Sequence, residues 1–72
     1  MSFQAYLVNI EAKTGKSAAQ LKELAIVRNL ATADGIAPGA KAGDIVAWLK
    51  SDFDLGHGHA MAIVAYIKGM RA

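Results

Sequence analysis

From Ala60 to Ile67 nearly every position is apolar, Ala-Met-Ala-Ile-Val-Ala-Tyr-Ile, with Gly58-His59 before the run and Lys68-Gly69 after it. The run is far shorter than the roughly 20 apolar residues needed to span a bilayer. It therefore reads as a helix that is apolar around its whole circumference, and such a helix is either enclosed by other elements or covered by a partner. A chain of 72 residues can enclose only one helix. The expected architecture places this helix at the centre with the rest of the chain packed around it, and a homodimer face on the same helix is the alternative.

A single domain covering residues 1–72 follows from the length, because a chain this short buries only about 60% of the surface its unfolded form exposes. No cysteine is present and no zinc-type ligand spacing occurs, so neither disulfides nor a structural metal supplements the core. Apolar residues make up 54% of the chain and aromatics only 7%. The core must then be built from Ala, Ile, Leu and Val, which favours closely packed helices over sheet. Met1-Ser2-Phe3-Gln4-Ala5 lacks the basic start and apolar stretch of a signal peptide. The expectation is a soluble cytoplasmic domain, neither exported nor inserted in a membrane.

Phe3, Tyr6, Leu7 and Ile10 recur at i, i+3, i+4, i+7, the spacing of an amphipathic helix, with Ser2 as N-cap. Thr14 ends that helix, since Gly15 suits the left-handed cap position. Ser17 opens a second helix, and Gln20 three residues later completes a capping box. Its apolar stripe is Ala18, Leu21, Leu24 and Ala25, and it ends near Arg28-Asn29. Residues 31–43 are small and contain the breakers Gly35, Pro38, Gly39 and Gly43, which makes this stretch a linker. A third helix is expected between about Lys41 and Phe53, with Ile45, Trp48, Leu49 and Phe53 on its apolar face. Asp44 falls in its first turn, where a carboxylate offsets the positive end of the helix dipole. Leu55-Gly56 reads as the exit, Gly58-His59 as the entry to a fourth helix, Ala60 to Lys68, and Gly69 as its stop.

The halves echo one another at an offset of 42 positions: Phe3-Gln4-Ala5-Tyr6-Leu7 parallels Ile45-Val46-Ala47-Trp48-Leu49, and Ser17-Ala18 parallels His59-Ala60. Two helical hairpins related by pseudo-twofold packing would account for this.

Candidate chemistry concentrates in Leu55-Gly56-His57-Gly58-His59-Ala60-Met61-Ala62. Gly56-His57-Gly58 followed by Ala62 fits the G-x-G-x-x-x-A spacing with which helix-hairpin-helix modules grip a nucleic-acid backbone, where glycines allow a tight turn and helix N-terminal amides attract phosphate. His57 nevertheless stands where such hairpins place a buried aliphatic residue, and the net charge of +2 comes from scattered bases without a dense tract. A turn between packed helices explains the glycines equally well, with His59 capping the fourth helix. An H-x-H pair chelates a metal readily on a strand but not at a helix entry, and no third ligand is specified. Gly15-Lys16-Ser17 resembles the end of a phosphate-binding loop, but Ile10 occupies the position of its first glycine and a helix precedes it. No set of nucleophile, base and oxyanion donors is present. Trp48, Tyr6 and Tyr66 read as core or half-buried aromatics whose polar atoms reach the surface.

Several blocks, Phe3-Gln4-Ala5-Tyr6-Leu7, Ile10-Glu11-Ala12-Lys13-Thr14-Gly15-Lys16, the segment from Lys41 through Trp48 to Lys50, and Leu55 through His59 to Ala62, together resemble a small bacterial family catalogued as domain of unknown function 4287. The likeness covers nearly the whole chain. It implies a compact helical domain found alone or beside other uncharacterised domains, and no established activity. Residues Ala31 to Gly39 depart from the family's usual connection in being richer in alanine and glycine.

The resulting expectation is an all-α bundle of four short helices, non-enzymatic and without cofactor or metal. It would act as a binding or interaction module through Gly56, His57, Gly58 and His59. Its partner would be an unidentified protein or a second copy of the chain. Nucleic acid is the less favoured partner and a membrane is excluded.

Overall fold

The computed structural model describes residues 2–71. Four helices and one short hairpin follow in order: α1 (Phe3–Thr14), α2 (Ala18–Val27), β1 (Ala31–Thr32), β2 (Gly35–Ile36), α3 (Ala42–Phe53) and α4 (His57–Ile67). The four expected helices are present and the domain is mostly helical, with one small two-stranded hairpin added between α2 and α3.

Local sequence sets the helix ends. Ser2 Oγ accepts the Ala5 N–H at 3.1 Å, and Gly15 closes α1 in the left-handed region at φ 74°. Ser17 and Gln20 form the reciprocal box at α2: Ser17 Oγ accepts from Gln20 N at 3.2 Å, and Gln20 Oε1 accepts from Ser17 N at 2.8 Å. The α2 exit is a Schellman motif with Asn29 at φ 62°, in which Leu30 N donates to Ala25 O and Asn29 N to Ile26 O. At α3, Asp44 Oδ2 accepts the Lys41 N–H at 2.9 Å, so the acidic first-turn residue is itself the cap partner.

The stretch expected to be a linker is folded. Ala31 pairs with Ile36 and Thr32 with Gly35 in antiparallel register. Ala31 is buried and Ile36 packs against the core, which anchors both strands. Thr32 Oγ1 accepts from Asp34 N across the turn, and Lys22 Nζ donates to Ala33 O at 3.1 Å, tying the hairpin tip to α2. Two-residue strands carry no alternation to recognise, which is why composition alone read this segment as a connection.

Helix α4 occupies the centre, in contact with α1, α2, α3 and β2. Ile10, Leu21, Ile45, Leu49, Ile63, Val64 and Ile67 are its fully buried neighbours and members, and no polar or charged side chain is buried among the described residues. The other three helices and β2 cover most of the circumference of this apolar helix.

Candidate functional site

The turn from α3 to α4 differs from its expected form. The residue in the left-handed region is Asp54, at φ 55°, whereas Gly56 has φ −71° and is the N-cap of α4. Asp and Asn tolerate that region because their short polar side chains bond locally. Leu55, 3% exposed, plugs the core between them. Helix α4 thus starts at His57, three residues before the expected start, and Ala60 N donates to Gly56 O at 2.9 Å. His59 is not the cap; it is the third residue of the helix.

The four predicted site residues divide between surface and packing. His57 is exposed, while His59 is half-buried against Tyr6 of α1, with ring centroids 4.9 Å apart and planes at 78°. Gly58 lies beneath the same tyrosine, where a Cβ would stand 3.5 Å from Tyr6 Oη. Two positions apart on a helix point to nearly opposite sides, so the histidines diverge. Among the described residues, no group of three or more His, Asp or Glu side chains is placed to hold a metal.

The other motifs resolve into structural roles. Gly15-Lys16-Ser17 is a helix stop followed by a helix cap. Trp48 packs edge-on against Phe53 at 5.5 Å, and the Arg28 guanidinium lies 5.8 Å from its ring centroid while also pairing with Asp52 at 3.6 Å. The expectation that its polar atom reaches the surface is corrected: Trp48 Nε1 is buried with no acceptor. No helix of the described residues is long and apolar enough to cross a membrane.

A surface that sequence reasoning missed lies further along α4. His57, Met61, Ala65 and Lys68 succeed one another at i, i+4, i+8 and i+11, the spacing of a single side of a helix. At the helix exit, Gly69 (φ 114°) forms a second Schellman motif, with Met70 N donating to Ala65 O and Gly69 N to Tyr66 O. The reversal folds Met70 back over Ala65. Met61, Val64, Ala65, Lys68 and Met70 thereby line a shallow, mainly apolar depression of about 340 Å³. Met61 is 40% and Met70 49% exposed. A second depression, of about 280 Å³, lies along α2 beside Lys16, Gln20, Glu23, Leu24 and Val27. Neither is lined by His57 or His59. Two signals could have identified the first: Met61 sits on the side of α4 opposite the buried Ile63, and Gly69-Met70 carries the glycine-apolar pair of a Schellman motif.

Beyond Met70, the Arg71 guanidinium stacks on Tyr66, 3.8 Å from its ring centroid, and donates to Tyr66 O at 2.8 Å. Gln4 Nε2 donates to Arg71 O, which ties the segment after α4 to the start of α1.

Comparison with curated proteins and with solved structures finds no match. The pattern that defines one family does match, over residues 2–69, from the N-cap of α1 through the glycine that ends α4. With nearly its whole length matched, the chain belongs to the family described as Domain of unknown function (DUF4287).

Proposed function

We propose that this domain is a small, non-catalytic interaction module of the cytoplasm that holds a protein partner along the uncovered side of α4, from His57 at its entry to Met70 at its exit. The observation that carries this reading is that Met61 on α4 and Met70 just beyond its Gly69 stop are both exposed and line one apolar depression. Methionine is unbranched and polarizable, so it adapts its shape to a partner surface. The divergence of His57 and His59, and the absence of either from the two depressions, support a binding role over a reaction. A photo-crosslinking amino acid placed at Met61 in cells tests the reading. It should yield a protein adduct that the same amino acid at exposed Glu11 does not, and equal labelling at both positions would refute it.

A second reading is favoured by one observation. Gly56 supplies no capping side chain, so the first amides of α4, the positive end of its helix dipole, are left without a side-chain acceptor. This keeps a nucleic-acid-binding turn at residues 55–62 as the rival. Titration with duplex and single-stranded DNA at low salt tests it, since phosphate-driven binding weakens steeply as salt rises. Homodimerisation through α4 is a third reading, tested by sedimentation at high concentration. For the architecture, we retain the pseudo-twofold relation of two hairpins. It is supported by α1 and α3 both spanning 12 residues.

A further inference from the structure

We infer that the depression on α4 receives an apolar segment bearing carboxylates from another protein, and not a second copy of this chain. This rests on the interaction-module reading and adds the chemistry of the partner. The depression is apolar apart from Lys68, the one charged residue lining it. The whole segment from His57 to Arg71 contains Lys68, Arg71 and two histidines and not one aspartate or glutamate. A twofold pairing of this surface with itself would bring together two segments that both lack acidic groups. It would bury the apolar stripe while offering each Lys68 no carboxylate side chain from the facing segment, and like charges across an interface disfavour a partner. An acidic partner has no such conflict. Apolar side chains at helical spacing would enter between Met61 and Met70, in the manner of a helix laid in a groove. A carboxylate beyond them would meet Lys68 at the rim, where charge sets partner choice and encounter rate.

The geometry explains why this surface exists at all. Ala60, Ala62, Ile63 and Ile67 are buried in the core, which leaves Met61 and Ala65 on the uncovered side of α4, while Val64, 1% exposed, borders the depression from within. The Schellman reversal at Gly69 then supplies Met70 as the far wall.

The test is selection of a phage-displayed random dodecapeptide library on the intact domain, followed by fluorescence anisotropy of the enriched peptides. Enriched sequences should combine apolar residues at i, i+3 or i+4 spacing with net negative charge. Met61→Glu should weaken their binding by about tenfold or more, and Met70→Glu serves as an independent second variant. Lys68→Glu should weaken it about fivefold at low salt, with the difference shrinking as salt rises. Enriched peptides that are neutral or basic, yet still sensitive to Met61→Glu, would overturn the acidic partner and leave the interaction module standing. Peptides insensitive to both methionine variants would overturn the inference on this surface. A dimer in sedimentation that Met61→Glu dissociates would overturn it in favour of the second copy. Failure to select any peptide, together with no crosslink at Met61, would overturn both readings.

Discussion

Tyr6 of α1 and His59 of α4 meet edge to face, with ring centroids 4.9 Å apart, and the same tyrosine covers Gly58. One aromatic side chain therefore accounts for half of the Gly-His-Gly-His segment. Gly58 has space for a methyl group at ordinary contact distance from Tyr6 but not for a branched side chain. Gly58→Ala should leave stability unchanged or raise it by about 0.5 kcal/mol, as alanine replaces glycine in a helix. Gly58→Val should lower it by displacing Tyr6. Denaturant unfolding of the two variants separates these outcomes.

Gly56 has an ordinary negative φ and open space around its Cα, so its substitution carries no backbone strain. Gly56→Asp should stabilise the domain by roughly 0.5 kcal/mol, because an aspartate N-cap accepts a first-turn amide and opposes the helix dipole. Gly56→Val should cost little. A large loss of thermal stability in Gly56→Val would show that the turn is tighter than its dihedral angles indicate.

The strained position in that turn is Asp54, at φ 55°. Asp54→Gly should raise stability by about 0.5 kcal/mol by relieving the left-handed conformation, less any local bond of the carboxylate. Asp54→Val should be destabilising. Thermal melting of the pair, compared with wild type, is sufficient to check the ordering.

Ile63 lies on the central helix with no exposure. Ile63→Ala removes buried methylenes and leaves a cavity, at a cost of about 2–5 kcal/mol. Total stability for a domain of this size is roughly 4–11 kcal/mol. The variant should be partly unfolded at physiological temperature, visible as lost helical circular dichroism, whereas Met61→Ala on the exposed side should melt within a few degrees of wild type.

Ser17→Ala removes one side of the capping box at α2 and should cost about 1 kcal/mol. Gln20→Ala removes the reciprocal bond. Because both act at one helix end, the double variant should cost less than the sum of the two single variants, measured by urea unfolding.

Helix existence was legible wherever a short-range rule governs it. Ser2, Gly15, Ser17 with Gln20, and the apolar stripe of Ile45, Trp48 and Leu49 each act through neighbours within a turn or two, and each behaves as its pattern indicates. The entry to α4 was placed too late because Gly56-His57-Gly58 has the composition of a loop. Tertiary packing overrode that preference: Leu55 is pinned in the core and Tyr6 closes over Gly58, so the helix begins at once. The hairpin at residues 31–36 was hidden for a related reason, since its pairing is held by Ala31 and Ile36 against the helices and by Lys22 from α2, all long-range contacts.

By itself, the run from Ala60 to Ile67 determined that this helix must be covered, either by the rest of the chain or by a second copy, because its apolar side chains have to be kept from water. Which side of that helix stays uncovered was not decided by the run, as an all-round apolar pattern has no preferred face. That was settled by where α1, α2, α3 and the hairpin fit around it, and by the Gly69 reversal that brings Met70 beside Met61.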